Sequence, residues 1–280
     1  VRAASLNAGD AHLLRATWLA VRLYQGLLHP KRKVLGHDLS GTVEAVGPGV
    51  TRFQPGDELF GESPDAGTFA ELACVPEATL AHLPEGLTHE QAAAVPTAAL
   101  TALQGLRDKA RLRPGQAVLV NGASGGVGTF AVQIARDLGA EVTAVCSTRN
   151  VEMVRALGAD TVVDYTRDDF TAGSARYDLI LDNVGAHPLK AMRSVLGPEG
   201  LLLANGATFE QFDHNGVIQN RPLTIIGGWD ALSIWGNCYA NVCFSMLICH
   251  YSGGRHIRAS GNSYCLASAA YFASATATGV

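Results

Sequence analysis

The 280-residue sequence lacks the features that mark a nucleic-acid-binding or membrane protein. Its net charge is −4 and its pI is about 6.1, so it offers no basic field to nucleic acid or to an anionic membrane. The most apolar late stretch, 239–250, is shorter than the roughly 20 residues of a membrane-spanning helix, and no charged segment with a cleavage site opens the chain. The sequence therefore predicts a cytoplasmic protein that binds neither nucleic acid nor membrane.

Cysteine pairs of the CxxC type are also absent, so a structural zinc site of that kind is not expected. The cysteines are Cys74, Cys146, Cys238, Cys243, Cys249 and Cys265. Cys146 falls in an apolar run, where a free thiol behaves as a small hydrophobic side chain. We expect a packing role for it.

Lysine and acidic residues are missing from the last segment, 231–280, which contains only Arg255 and Arg258 of the Lys, Arg, Asp and Glu types. We interpret this segment as an atypical tail produced by a frameshift or a wrong join. A divergent but real tail is the first alternative. The second is a metal site made by Cys238, Cys243, Cys249, His250 and His256.

What the chain does contain is one organised stretch, 115–148, that reads as strand, glycine-rich turn, helix and strand. An apolar run at 116–121 precedes the turn, apolar residues at helical spacing follow it, and a second run occupies 141–146. This arrangement is typical of half of a dinucleotide-binding fold. A glycine turn without a ligand is the alternative.

Within that turn, two glycines have separate predicted roles. Gly125 permits the backbone to approach a pyrophosphate, and Gly128 permits the helix to pack closely on the strand. The helix N-terminus offers free N–H groups to the anion. Ala123 stands where the first glycine of this fingerprint is usual.

Further apolar runs complete a doubly wound parallel sheet. They lie at 161–165, 177–183, 201–205 and 223–227, with a helix at 151–157. In such sheets the ligand lies outside the carboxyl ends of the strands. The residues expected there are Ala123, Ser147, Asn183 and Asn205.

The first part of the chain has a different pattern. Strands broken by glycine turns are predicted at 34–50, 53–61 and 67–75, which makes residues 1 to about 85 a small all-β unit. Residues 88–106 turn helical after a capping-box pattern. Because residue 1 is Val and the first residues read as an extended segment already under way, we expect this domain to be N-terminally truncated. The prediction is an α/β protein with domains at 1–97 and 98–230 and an atypical tail at 231–280.

A set of motifs in order resembles a known family. The motifs are GHDLSGTVEAVGPGV, RFQPGDELFG, GTFAELACVPE, AAAVPTAALTALQGL, VLVNGASGGVG and YDLILDNVG. From residue 1 to about residue 228 the chain resembles the zinc-lacking quinone oxidoreductase branch of the medium-chain dehydrogenase/reductase superfamily. The resemblance implies a GroES-like catalytic domain, then a Rossmann domain that binds NADPH, and a reaction that reduces quinones or activated alkenes.

No catalytic zinc is expected. The related zinc alcohol dehydrogenases hold zinc with an early cysteine, a histidine in a GHE motif and a later cysteine. Here the matching early segment, 5–10, has no cysteine, and the cysteine-rich lobe is absent between Asp57 and Leu83. His37, in GHD, is alone, whereas catalytic zinc takes about three protein ligands. We expect His37 to be a hydrogen-bonded histidine at a strand end.

The missing zinc sets the expected substrate class. A quinone or enone accepts hydride at a carbon already activated by conjugation, so the protein needs only to orient it and to stabilise the developing oxyanion with one or two donors. The resemblance places Asn7 and His12 in that pocket as the catalytic residues. The alternatives are that Asn7 bonds its own backbone and that His12, where the family often has tyrosine, is an ordinary exposed residue.

The end of the second strand predicts the cofactor. No carboxylate follows at 146–150, whereas an NAD enzyme has one there, and Ser147 and Arg149 are suited to a 2′-phosphate. A solvated cap is the alternative for Arg149, and Tyr165 resembles the family tyrosine at the adenosine end. The predicted NADPH-binding residues are Thr101, Ala123, Ser124, Gly125, Gly126, Val127, Gly128, Ser147, Thr148, Arg149, Tyr165, Asn183, Val184, Asn205 and Gly206.

The function that follows is an NADPH-dependent reductase of quinones or activated alkenes, with a small molecule as partner. An enoyl-thioester reductase and a zinc-type alcohol dehydrogenase are the enzyme alternatives. A catalytically silent NADPH-binding protein and a truncated product that binds nothing well are alternatives of other classes. The resemblance also implies a homodimer that pairs the strand at 223–227.

Overall fold

A computed structural model describes residues 1–15, 22, 26 and 28–205, together with the backbone of 223–225. The chain divides into two compact units, of which the second begins at Thr101. The predicted Gly206 and the tail at 231–280 lie outside the described residues.

The first unit is built on a small antiparallel sheet in the order β1-β2-β3. Its strands are β1 Asp38–Thr42, β2 Glu58–Glu62 and β3 Leu80–His82. The buried residues Leu39, Phe53, Leu59 and Leu80 form its core. In addition, Ala3 pairs with Ser40 in an isolated bridge, so the first residues are extended as predicted.

Two sequence predictions for this unit are wrong. A helix, α1 Ala8–Arg15, interrupts the predicted all-β unit, and Asp10 in its first turn accepts a hydrogen bond from the Asn7 N–H. Residues 67–75 form no strand. Their backbone bonds to residues 35 and 36, Thr68 N–H to Gly36 O and Phe69 N–H to Leu35 O, form too short a ladder to define one.

The predicted helix at 88–106 is divided. Helix α2 His89–Ala93 begins at a capping box made by Thr88 and Gln91, as predicted. Helix α3 Pro96–Leu103 then starts at a proline, which has no N–H to continue the preceding helix and restricts the residue before it. Residues Gln104–Lys109 continue α3 as one π-helical turn.

The second unit contains a six-stranded parallel sheet in the order β6-β5-β4-β7-β8-β9, which confirms the predicted doubly wound sheet. Its strands are β4 Ala117–Asn121, β5 Glu141–Cys146, β6 Thr161–Asp164, β7 Tyr177–Asp182, β8 Leu196–Ala204 and β9 Leu223–Ile225. The helices are α4 Gly126–Asp137, α5 Val151–Ala156 and α6 Leu189–Ser194.

The order of the strands positions a site. The chain runs outward from β4 through β5 to β6 and then returns to the other side of β4 as β7. Such a reversal opens a crevice at the carboxyl ends of the central strands. The strands on both sides are anchored by a buried core that includes Leu119, Ile180 and Met192. Cys146 is buried at the end of β5, in agreement with a packing role.

No helix within the described part of the chain is both long and apolar enough to cross a membrane.

Candidate functional site

The glycine-rich turn after β4 brings backbone directly against backbone. A Cβ on Gly128 would lie 2.7 Å from Cα of Ala123, so only glycine lets α4 start this close to the turn. This confirms the predicted packing role of Gly128. Gly122 has a φ of +74°, and a Cβ there would lie 2.8 Å from Cγ2 of Val184. Sequence analysis missed Gly122, although an Asn-Gly pair at a strand end is a turn signal.

The N-terminus of α4 opens at the same edge of the sheet. Gly125 is the residue before the helix, and both Gly125 and Gly126 are exposed. Ser124 and Val127 are half-buried beside them, and Ala123 is fully buried with its N–H bonded to Val145 O. The first N–H groups of a helix have no partner within the helix, so this turn offers donors to an anion.

Polar side chains link the ends of three neighbouring strands of the sheet. The Asn121 amide donates to Oδ1 of buried Asp182 at 2.9 Å, and the same oxygen accepts the N–H groups of Val184 and Gly185 at 3.1 Å. Nδ2 of Asn205 donates to Oδ1 of Asn183 at 2.9 Å. The predicted Asn183 and Asn205 thus lie together at the carboxyl ends. Asn121 and Asp182, which orient this edge, were missed.

A carboxylate lies where the sequence predicted none. Asp164, the last residue of β6, is the register partner of Cys146, and its oxygens accept from the hydroxyls of Thr148 and Thr166. The Thr148 bond is the largest cause that lowers the pKa of Asp164. Sequence reasoning considered only the residues that follow β5, and the parallel pairing with β6 brings Asp164 to the same place.

The remaining predicted cofactor-binding residues are exposed or half-buried. Arg149 is exposed in the short 3-10 turn Thr148–Asn150, and Tyr165 is 60% exposed. Ser147 is half-buried and its Oγ accepts from Nδ2 of Asn150. Val184 is 48% exposed, and Thr101 is half-buried in α3.

In the first unit, Asn7 bonds a buried carboxylate. Its Nδ2 donates to Oδ2 of Asp38 at 3.0 Å and to Oγ of Ser5 at 3.3 Å. Asp38 is 0% exposed, and burial raises its pKa although bonds from Thr97, Asn7 and Ser5 oppose the change. The Asn7 side chain therefore does not bond its own backbone, which was the alternative for this residue.

His37 directly precedes Asp38, the first residue of β1, and is buried. Its Nδ1 lies 2.9 Å from Oδ1 of Asp10, which confirms the predicted hydrogen-bonded histidine at a strand end. Burial acts to raise the pKa of Asp10, but bonds from His37 and the Asn7 N–H outweigh it and the pKa is lowered. His12 is half-buried on α1, and its side chain makes no hydrogen bond to another described residue.

Glu62 adds a second carboxyl group next to Asp38. The two residues are register partners in β1 and β2. Burial and the charge of Asp38 raise the pKa of Glu62 to about 7, and the charge of His37 opposes this.

Among the residues that the structure describes, no three His, Cys, Asp or Glu side chains are grouped to hold a metal ion. The tail cysteines are outside that range.

Known proteins resemble both units. The family model "Zinc-binding dehydrogenase" matches residues 126–237, and "Alcohol dehydrogenase GroES-like domain" matches residues 1–85. The chain is 42% identical over 203 residues to "NAD(P)H oxidoreductase RTN4IP1, mitochondrial" of Mus musculus, a match that covers 66% of this chain and 51% of the relative. It is 38% identical over 196 residues to "Trans-enoyl reductase pgmF" of Aspergillus terreus, which covers 66% and 54%.

The fold agrees with these matches. The structure of the quinone oxidoreductase from Coxiella burnetii superimposes with a TM-score of 0.71 at 30% identity, covering 86% of this chain and 77% of that one. The chain spans about half the length of the two curated relatives above, 51% and 54%. With both domains matched and the glycine turn and strand ends in place, the chain belongs to the quinone oxidoreductase-like branch of the medium-chain dehydrogenase/reductase superfamily.

Proposed function

We propose that this chain is the catalytic part of an NADPH-dependent, zinc-independent reductase that transfers hydride to quinones or to other activated alkenes and carbonyls. The observation that carries the proposal is the edge of the parallel sheet, where the glycine turn, the start of α4 and the polar groups of Asn183 and Asn205 lie together. This is the position at which doubly wound sheets bind dinucleotides. When bound there, the cofactor supplies the hydride.

Individual residues have separate tasks in this proposal. The N–H groups at the start of α4 bind the pyrophosphate, because Gly125 and Gly126 leave it room to approach. Asn183 and Asn205 orient the part of the cofactor that lies over the strand ends. In the first unit, Asn7 contacts the hydride acceptor, and the half-buried His12 lines the same pocket.

Zinc independence rests on the donors around His37. Its Nδ1 is bonded to Asp10, and Asn7 and Ser5, from the segment where the zinc enzymes have their early cysteine, are bonded to Asp38. Neither an amide nor a hydroxyl is a usual zinc ligand, and the ligands in zinc sites of this superfamily include thiolates. We therefore propose an acceptor that needs no Lewis acid.

Preference for NADPH rests on Arg149. Its exposed guanidinium carries the positive charge that a 2′-phosphate requires. Asp164 works against a phosphate at this position, but its side chain is only 11% exposed and lies 3.6 Å from Nε of Arg167. Its oxygens also accept from Thr148 and Thr166. The negative charge of Asp164 is thus partly compensated by Arg167 and the two threonine hydroxyls, while Arg149 is exposed.

A second candidate function is the reduction of an enoyl thioester. The relative named trans-enoyl reductase pgmF, at 38% identity, favours it. The two candidates share the cofactor and the hydride step and differ only in the acceptor, so they predict the same NADPH-binding edge.

A steady-state screen tests the proposal. NADPH and NADH are each offered with a quinone, an enone, an enoyl thioester and a simple alcohol or ketone, with and without a chelator. We expect NADPH oxidation with the quinone or enone that a chelator leaves unchanged. Turnover only with the thioester favours the second candidate. Activity that a chelator removes and zinc restores contradicts zinc independence, and NADPH binding without any turnover indicates a silent binding protein.

Two further proposals concern the oligomeric state and the location in the cell. Strand β9 is the last strand of the sheet in the described order, and we propose that it pairs with the same strand of a second copy. Light scattering in solution measures the resulting mass.

The predicted cytoplasmic location competes with a mitochondrial one, which the name of the Mus musculus relative suggests, and cell fractionation separates them.

A further inference from the structure

The side chain of Asn7 is held in one orientation by its neighbours. It is half-buried and precedes α1 directly, a position at which asparagine commonly accepts a hydrogen bond from the helix backbone. Here the Asn7 backbone N–H donates to the Asp10 carboxylate, and the Asn7 carboxamide faces Asp38 instead. The contacts with Asp38 determine which atom of the carboxamide stays open.

Asp38 determines the answer because an ionised carboxylate can only accept hydrogen bonds. Thr97 donates to Oδ1 from its hydroxyl at 2.6 Å and from its N–H at 3.2 Å. Ser5 donates its hydroxyl to Oδ2 at 2.9 Å. With the carboxylate fixed by these donors at 0% exposure, the carboxamide of Asn7 must face it with Nδ2 rather than with Oδ1.

The second amide hydrogen of Asn7 is also used. Nδ2 lies 3.3 Å from Oγ of Ser5, whose own hydrogen goes to Asp38, so this oxygen is an acceptor for Asn7. Both hydrogens of Nδ2 are then committed, and Oδ1 accepts from no other described residue. The open atom of Asn7 is therefore an acceptor, whereas the sequence predicted a donor for an oxyanion.

We propose that Asp38 is a positioning residue that fixes Asn7 as a hydrogen-bond acceptor, so that Oδ1 of Asn7 accepts a hydrogen bond from a hydroxyl group of the cofactor ribose, or from the hydroxyl group that the reduced substrate forms when its oxyanion takes a proton from water. The inference rests on the proposed function, because it takes Asn7 to contact the reacting molecules. Asp38 itself touches neither of them and acts only through the orientation of Asn7.

Reversal of that orientation is the test. In Asp38→Asn, the Thr97 N–H keeps an oxygen on its side, so the new NH2 group faces Asn7, which must turn Oδ1 inward and Nδ2 outward. We expect kcat with NADPH and a quinone to fall about ten-fold, the size expected for loss of one hydrogen bond between Asn7 and the reacting molecules. The dissociation constant of NADPH distinguishes the two sources of the hydroxyl: it rises if the group belongs to the ribose and stays constant if it belongs to the reduced substrate.

A double variant separates orientation from damage. Asn7→Asp combined with Asp38→Asn puts the carboxylate at position 7, where one oxygen accepts from the new amide and the other faces outward again. We expect the double variant to recover much of the kcat that Asp38→Asn loses. Glu44→Gln, which neutralises an exposed carboxylate of the same unit, serves as the control and should keep the wild-type kcat.

A spectroscopic readout makes the inference independent of turnover. The side-chain amide signal that disappears from the 1H-15N spectrum in Asn7→Asp belongs to Asn7. It should exchange slowly in the wild type, where both hydrogens are bonded, and quickly in Asp38→Asn. If this signal exchanges quickly in the wild type, the inference is wrong. It is also wrong if the kcat of the double variant is as low as that of Asp38→Asn. A protected Asn7 amide without turnover on any acceptor contradicts the proposed function and leaves the orientation by Asp38 intact.

Discussion

Asn121 and Asp182 end neighbouring parallel strands, and the amide of the first donates to the carboxylate of the second at 2.9 Å. Both residues are buried, at 4% and 2% exposure. Since Oδ1 of Asp182 also holds the N–H groups of Val184 and Gly185, this pair fixes the backbone that follows β7.

Removal of the Asn121 amide should destabilise the second unit. Asn121→Ala leaves the buried Asp182 carboxylate without one donor, which costs about 1.5 to 3 kcal/mol for a bond to a charged group. Urea unfolding measures the change in the free energy of unfolding. Gln133→Ala, on the exposed face of α4, is the control and should change it by less than about 0.5 kcal/mol. Equal values for both variants contradict the role of Asn121.

Valine at position 128 should abolish NADPH binding. The new side chain meets Ala123, which lies 2.7 Å from the first added carbon, and pushes the start of α4 away from the turn. Fluorescence titration of NADPH measures the loss, and circular dichroism checks that the variant is folded. Gly47→Ala adds a carbon where no atom lies within 4 Å and should bind NADPH as the wild type does. A folded Gly128→Val variant with unchanged affinity would show that the turn binds no phosphate.

Replacement of Arg149 by alanine should reduce the preference for NADPH over NADH. Loss of one charge-assisted contact to the 2′-phosphate weakens NADPH about ten- to a hundred-fold and leaves NADH nearly unchanged. The ratio of the two dissociation constants is the measurement, and raised salt should lower it in the wild type because Arg149 is exposed. The exposed Arg176→Ala is the control. A wild type that prefers NADH, or equal weakening of both cofactors, contradicts the assignment.

A related change tests the same end of β5. Ser147→Asp adds an acceptor for a 2′-hydroxyl and a charge that repels a phosphate, so it should lower the preference for NADPH further than Arg149→Ala does. The dissociation constants of both cofactors are measured as before. A variant that binds NADPH as tightly as the wild type would mean that the phosphate lies elsewhere.

Glu62 should make the protein lose stability as the pH rises. Its pKa is about 7 in the folded state against an ordinary 4.5, so between these values the folded state holds a proton that the unfolded state has lost. The free energy of unfolding therefore decreases from pH 4.5 to about 7 on account of this group. Glu62→Gln should remove this decrease. The free energy of unfolding of the variant minus that of the wild type should therefore be larger at pH 8 than at pH 5. The exposed Glu44→Gln should give the same difference from wild type at both.

The parallel sheet was predictable because each of its strands is a short apolar run and each turn between them carries its own signal. The position of Asn183 and Asn205 followed from that topology alone. Position 164 was not recognised, because the link between Asp164 and Thr148 arises from strand pairing, which a motif after β5 does not contain.

The first unit was harder to predict for a similar reason. The resemblance pointed to Asn7, but its orientation depends on Asp38, which is 31 residues away, and on Thr97, which is 59 residues from Asp38. Such contacts carry no local pattern. Helix α1 was missed because the first unit was predicted as all-β, although Asp10 in its first turn accepts a hydrogen bond from the Asn7 N–H.

The close fit of Gly128 on Ala123 has a consequence for redesign of this chain. Because Gly128 meets Ala123 through main-chain atoms, position 128 has no room for any side chain. Diversity aimed at a new cofactor belongs in the exposed side chains after β5 and β6, such as Arg149 and Tyr165, where added volume can extend into solvent. Position 128 must therefore stay glycine, whereas the exposed positions that follow β5 and β6 are the ones to vary.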